Sequence, residues 1–185
     1  MFKKFNIREL VLITLLTVIA LLIGALIGQA IVALTGIPTA GSIWAILIVF
    51  CLFTLGAKII NKFGTISLMG LLIAILSVPT PAIGPPGLYK LPIVFIAFLI
   101  SDLVISLFKR KTMGYYLGLV FATLLYNPAM YYSLFLMNMP TASKLKVVIL
   151  PLTIAHAIMA IFGVWMGIYL FGRIKHKKII RQFRN

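Results

Sequence analysis

The chain has 185 residues, of which 63% are hydrophobic and only 10% are charged, and its mean hydropathy is +1.18. This composition excludes a soluble domain, which needs far more polar surface, and predicts one integral membrane domain over residues 1–185. The formal net charge of +15 would favour nucleic-acid binding in a soluble protein, but here the basic residues cluster at the ends of apolar segments. We therefore expect contact with a lipid bilayer and no nucleic-acid partner.

The first apolar segment, residues 9–34, would be about 39 Å long as a helix, which is enough to cross a membrane. It is too long for the apolar core of a signal peptide and lacks a small-residue cleavage site, so we expect it to be retained. Ala20, Gly24 and Gly28 are four residues apart and lie on one helix face, where small residues allow another helix to approach closely. Two interpretations are open: this stripe packs within its own bundle, or it docks a separate membrane subunit.

The remaining segments predict an all-α bundle of six transmembrane helices. The third is short, about 21 Å at helical rise, and ends before Pro79. Residues 79–90 contain four prolines and two glycines, so we expect a stiff, irregular loop there. Shorter loops are predicted at residues 35–42 and 138–146. The six predicted spans are residues 9–34, 43–60, 65–78, 91–108, 113–137 and 147–171.

The distribution of basic residues predicts the orientation of these spans. Six crossings place both termini on one side, and 14 of the 17 Lys and Arg residues fall on that side. By the positive-inside rule, both termini are expected to be cytoplasmic in a multi-pass protein of the cell membrane. The 14 residues are Lys3, Lys4, Arg8, Lys58, Lys62, Lys109, Arg110, Lys111, Arg173, Lys175, Lys177, Lys178, Arg181 and Arg184.

Few residues are available for chemistry, since the chain has only two acids, Glu9 and Asp102, and two histidines, His156 and His176. No paired carboxylates, nucleophile motif or metal-ligand spacing is present, so we expect no enzyme, no metal and no cofactor. The single Cys51 is expected to serve packing. Because an ion in hydrocarbon is costly, Asp102 is expected to face the bundle interior and to make an internal hydrogen bond or ion pair.

Asn127 and His156 lie at matching depths, about 14 to 15 Å below the outer surface, so they are candidates for one pocket. Tyr131 lies one turn above Asn127 on the same helix face and could present its ring beside the amide. The alternative is that His156 only joins neighbouring helices and that Asn127 relieves the backbone at Pro128. Tyr89 and Lys90, at the end of the proline-rich loop, complete the candidate binding residues, although Tyr89 also suits an interfacial aromatic belt.

The six spans, cytoplasmic ends, small-residue stripe and two outer loops rich in proline and glycine resemble a substrate-binding S component of an energy-coupling factor (ECF) transporter. The resemblance implies a membrane protein that captures a vitamin-like small molecule from outside, in a pocket formed by spans four to six under the loops. It also implies docking, through Ala20, Gly24 and Gly28, to a transmembrane coupling subunit driven by two cytoplasmic ATPases. The docking face of that family is commonly rich in alanine, whereas this one has two glycines.

The side-chain inventory narrows the expected substrate. The chain lacks the His-rich amino terminus of the nickel and cobalt members, and it has no acid in the outer half of spans four to six. A metal or cationic substrate is therefore not expected. An uncharged or anionic flat molecule fits better, with Lys90, Lys144 or Lys146 at the rim for an acid group.

Two other classes of function share the hydropathy and charge pattern. A non-catalytic scaffold of a membrane assembly would bind no ligand, and a membrane enzyme would need catalytic pairs that the sequence lacks. Without a nucleotide-binding motif such as G-x-x-x-x-G-K-[ST], the chain is not expected to drive transport alone.

Overall fold

The computed structural model describes residues 4–36, 38–80, 84–177, 180, 182 and 183. Within these residues the chain forms six α-helices and no β-strand, which confirms the prediction of an all-α fold. Lys3, Lys178, Arg181 and Arg184, used to predict the orientation, lie outside the described residues. The helices are α1 (Ile7–Thr35), α2 (Pro38–Ile60), α3 (Thr65–Ser77), α4 (Lys90–Leu107), α5 (Thr112–Leu136) and α6 (Pro140–Ile174).

Five of the described helices are long and apolar enough to cross a membrane, in agreement with a multi-pass membrane protein. The exception is α3, whose 13 residues span only about 20 Å, against about 30 Å for the hydrocarbon layer. Its length follows from its boundaries. Gly64, in a left-handed conformation at φ 91°, precedes the first turn, and Pro79 follows the helix closely.

Two predicted boundaries are wrong. α2 begins at Pro38 instead of residue 43, and α6 begins at Pro140 instead of residue 147, so the predicted loops at 35–42 and 138–146 are mostly helical. The physical reason is that proline has no N–H to leave unsatisfied in a first turn and a φ already suited to helix. Both prolines are assigned to loops by the sequence analysis. The ends of α1, α3, α4 and α5 fall within two residues of the prediction.

The bundle is built around α2, which packs most extensively against α1 on one side and α6 on the other. The contact with α6 depends on two glycines. A Cβ at Gly163 would lie 2.6 Å from the Leu47 carbonyl oxygen, and a Cβ at Gly167 would lie 2.5 Å from that of Cys51. Both helices thus meet backbone to backbone, as expected where lipid provides no hydrophobic force between helices.

Two clusters of buried apolar residues form the interior. The larger one runs through all six helices and includes Phe98, whose ring contacts the rings of Phe50 and Phe53. The smaller one lies toward the C-terminal end of α5 and contains Tyr89, Met130, Leu134 and Ala142. We call this second group the outer cluster, since it lies next to the loops that the sequence predicts to face outside.

Candidate functional site

A polar node joins three helices in the outer half of the bundle. His156 of α6 is 3% exposed, and its Nδ1 lies 3.1 Å from Asn127 Nδ2 and 3.2 Å from Asn127 Oδ1, on α5. Its Nε2 lies 3.0 Å from Ser42 Oγ, on α2. Asn127 and His156 are thus in contact, as their matching depths predict, and their role in binding stays a prediction. We refer to Ser42, Asn127 and His156 as the polar node.

The node has two self-consistent hydrogen-bond patterns. If Asn127 donates from its amide nitrogen to Nδ1, then Nε2 carries the proton and donates to Ser42; if Nδ1 donates to the amide oxygen, Ser42 donates to Nε2. Either pattern satisfies both ring nitrogens of His156 with protein groups. The node therefore links helices in the structure as it stands, and a ligand would have to replace one of these hydrogen bonds.

Ser42 was missed by the sequence analysis because residues 35–42 were predicted to be a loop. With α2 beginning at Pro38, Ser42 lies near the start of that helix, facing α6. The available signal was the proline itself, since a proline followed by an apolar run is typical of a helix N-terminus.

Tyr131 does not join the polar node through any hydrogen bond in the described residues. Its ring stacks on Phe135, with centroids 6.3 Å apart and an interplanar angle of 27°, and meets the edge of Tyr132 at 5.7 Å. Tyr131 instead lines an open groove of about 330 Å³ at the junction of α5 and α6. The residues of this outer groove are Tyr131, Phe135, Asn138, Met139, Pro140, Ala142, Ser143 and Lys146.

The outer cluster separates the outer groove from the polar node along α5, because Met130 and Leu134 lie between Asn127 and Asn138. Gly84 and Tyr89, in the described end of the proline-rich loop, lie against it. A Cβ at Gly84 would overlap the terminal methyl group of Met130, and Tyr89 is buried in the cluster.

Tyr89 is part of this packing and is only 9% exposed. Its hydroxyl donates a hydrogen bond to the Pro85 carbonyl oxygen, which closes the end of the loop. Burial raises the pKa of the Tyr89 phenol, so the group stays neutral. The Tyr89 hydroxyl thus serves the loop in this structure, and the binding role of Tyr89 stays a prediction.

Lys90 is misplaced by the sequence analysis. The prediction puts it at the rim of a pocket, but its side chain is fully buried, and its Nζ donates to the carbonyl oxygens of Ser77 at 2.8 Å and Thr80 at 2.6 Å. These carbonyls lie at the C-terminal end of α3, where a cation is favourable. Of the other two candidate lysines, Lys146 is exposed in the outer groove, and the side chain of Lys144 lies outside what is described.

Asp102 makes the internal contacts that the sequence predicts. Its carboxylate is fully buried, and Oδ2 accepts hydrogen bonds from the backbone N–H groups of Gly64 at 2.8 Å, Ile66 at 3.1 Å and Ser67 at 3.3 Å. Oδ1 lies 3.4 Å from Nη1 of Arg110. Asp102 therefore caps the N-terminal end of α3, where unpaired N–H groups and the helix dipole favour an anion.

Together, Asp102 and Lys90 hold α3 at both ends from a single neighbouring helix. The two residues are 12 positions apart on α4, about 18 Å, which nearly matches the length of α3. The helices run antiparallel, so the carboxylate reaches the start of α3 and the ammonium group reaches its end. Two of the few charged residues within apolar segments thus serve this short helix.

The small-residue stripe packs against α2, with Gly28 half-buried at its end. Ala20 and Gly24 are buried, Gly24 lies against Ala45 and Val49 of α2, and a Cβ at Gly28 would lie 3.2 Å from the Gly41 carbonyl oxygen. The docking interpretation of the stripe is corrected by this placement, since its faces are occupied by α2. The exposed face of α1 carries large apolar residues instead: Leu10, Val11, Leu15, Leu22, Ile23, Leu26 and Leu34.

No group of three or more His, Cys, Asp or Glu residues that could hold a metal ion occurs among the described residues. Comparisons of the chain with protein-family models, with curated proteins and with solved structures each give no match.

Proposed function

We propose that this chain is a non-catalytic, membrane-embedded substrate-binding subunit that captures a small molecule from the outer side and passes it to an ATP-driven transport complex of the ECF type. The observation that carries the proposal is the polar node. Three helices bring a histidine, an amide and a hydroxyl together in the half of the bundle that lies beneath the proline-rich loop. Such a group inside an apolar bundle suits recognition of a polar ligand.

The proposed topology has six crossings with both termini in the cytoplasm. It is supported by the 14 basic residues on the side of the termini. The short α3 is compatible with a crossing because protein groups satisfy its ends: Asp102 accepts from its first N–H groups, and Lys90 donates to its last carbonyls. Helix ends buried in protein do not need to reach the water on either side.

Energy for transport is proposed to come from partner subunits. Of the two acids, Glu9 pairs with Lys62 at 2.7 Å and Asp102 contacts Arg110, so both carboxylates already serve internal contacts toward the proposed cytoplasmic side. Neither is placed to bind a coupling ion from outside. A transmembrane coupling subunit with cytoplasmic ATPases would supply the energy, and it would dock on a surface other than the small-residue stripe.

Thermal unfolding of the purified chain in lipid nanodiscs tests the binding role. In a screen of vitamins, nucleobases and amino acids, we expect at least one compound to raise the unfolding temperature without ATP, because a ligand of the folded state stabilises it. The shift should be lost in His156→Ala and retained in His176→Ala, whose histidine is exposed near the C-terminal end. If no compound shifts the unfolding temperature, or if both variants keep the shift, the proposal is wrong.

A second candidate function is a non-catalytic scaffold in a membrane assembly. It is favoured by the packing of Gly24 and Gly28 against α2 and by the internal hydrogen bonds that satisfy His156. Affinity purification from membranes distinguishes the two. A binding subunit should co-purify with ATPases and their coupling subunit, whereas a scaffold should co-purify with other membrane proteins and show no ligand-dependent stabilisation.

A further inference from the structure

The outer groove leaves an aromatic ring, a lysine and a side-chain amide exposed. Phe135 is 58% exposed although its ring is large and apolar, and it stacks on Tyr131 along the same wall. The two rings, inclined by 27° to each other, give this wall an aromatic surface against which another ring can pack. The opposite wall is formed by the first turns of α6, from Pro140 to Lys146.

The groove carries a positive charge, and neither acid of the sequence lies near it to neutralise that charge. Lys146 is exposed and lines the groove, while Glu9 and Asp102, the only acids in the sequence, are engaged with Lys62 and Arg110. An anionic group entering the groove would therefore meet an ammonium group without competition from a neighbouring carboxylate.

Polar atoms next to the rings add a second kind of contact. Asn138 lines the groove at the turn between α5 and α6, where its backbone adopts a left-handed conformation at φ 53°. Its exposed side-chain amide can both donate and accept hydrogen bonds. The groove volume of about 330 Å³ is at the lower end of the range for small-molecule sites, which suits one or two fused rings.

We infer that the outer groove binds a planar aromatic anion, with its ring against Tyr131 and Phe135 and its acid group near Lys146. This inference goes beyond the proposed function, because the groove is a binding site separate from the polar node. The outer cluster closes the groove from the polar node beneath it, because Ala142 lines the groove and is buried in that cluster. The groove is thus a site in its own right and does not require the node to open.

Ligand-observed NMR with the chain in nanodiscs tests this inference. The probes are 4-aminobenzoate and phenyl phosphate, with 4-aminobenzamide as the neutral match, and empty nanodiscs report partition into lipid. We expect saturation transfer to both anions, and comparing their dissociation constants shows whether the groove prefers a carboxylate or a phosphate. The dissociation constant of the amide should be at least about fivefold larger than those of the anions. No transfer above empty nanodiscs, or equal affinity for the amide, overturns the inference.

Variants locate the probe in the groove. Lys146→Gln should weaken binding of the anions about fivefold and leave the amide unchanged, while Tyr131→Ala should weaken all three probes about tenfold. Lys175→Gln, an exposed lysine at the far end of α6, is the matched control and should change nothing. Equal effects of Lys146→Gln and Lys175→Gln would show that the probes respond only to net charge and would overturn the site.

The outcome is distinguishable from failure of the proposed function. If a compound stabilises the protein through His156 while the aromatic anions fail to bind, the substrate-binding function stands and the groove inference is wrong. If the anions bind the groove but no partner ATPases are found, the groove inference stands without the transport role.

Discussion

Two lysines at the same end of the molecule have opposite environments. Lys90 is fully buried and donates to the Ser77 and Thr80 carbonyl oxygens, whereas Lys146 is exposed along the outer groove. In the sequence both were candidates for the rim of a binding site. The structure gives the first a structural role, because its charge is matched to the end of α3, and leaves the second available to a ligand.

This difference extends to the two halves of the molecule that contain them. In the α3 and α4 pair, buried charge is satisfied by backbone groups, since Asp102 and Lys90 occupy opposite ends of the short helix. At the outer ends of α5 and α6, aromatic rings and an amine remain exposed. The comparison shows that charge in an apolar helix indicates function only when the fold leaves it without a structural partner.

The largest expected effect is at Asp102. Replacing it with Ala removes the acceptor for three N–H groups of α3 and leaves Arg110 without its carboxylate, so we expect a loss of about 3–5 kcal/mol in the free energy of unfolding. The measurement is unfolding in mixed micelles of increasing SDS content. Asp102→Asn, which keeps one acceptor oxygen, should be milder. A cost below 1 kcal/mol for Asp102→Ala would contradict the role of α4 in holding α3.

The same substitution at the two lysines tests the comparison directly. Lys90→Met should cost about 2 kcal/mol, because two carbonyl oxygens lose a charged donor in a buried place. Lys146→Met should change the free energy of unfolding by less than about 0.5 kcal/mol, as is usual for exposed positions. Both are measured by SDS unfolding. Equal costs would show that burial does not distinguish these lysines.

Effects of similar size are expected among the glycines between α1 and α2. A Cβ at Gly41 would overlap the Gly28 carbonyl oxygen, one at Gly28 would be tight at 3.2 Å, and one at Gly24 would make ordinary contacts at 3.6 Å. We therefore expect Gly41→Ala to cost about 1–3 kcal/mol, Gly28→Ala less, and Gly24→Ala about zero. Thermal unfolding of the three variants ranks them. The reverse order would mean that the stripe does not pack as described.

Much of the fold could be predicted from the sequence because hydropathy and turn residues are local signals. The six helices of the described residues and the short length of α3 follow from apolar run length and from the prolines between residues 79 and 86. The same reliance on proline misplaced the starts of α2 and α6, since a proline also fits the first turn of a helix.

The site was predictable only in part. The matching depths of Asn127 and His156 in their helices predict that the two side chains meet, and in the structure they are in contact. The role of Lys90 was not predictable, because it depends on where the C-terminal end of α3 lies in space. The stripe of small residues was compatible with two partners, and the sequence contains no signal that selects α2 over another chain.

The central claim is that this chain, alone and without ATP, binds a small molecule in its outer half. Native mass spectrometry of the chain released from nanodiscs, after incubation with each stabilising compound, measures this directly. We predict one bound molecule per chain for the wild type and for His176→Ala, and loss of the bound mass in His156→Ala. Detection of only the bare protein mass with every compound, or the same bound mass in all three proteins, would contradict it.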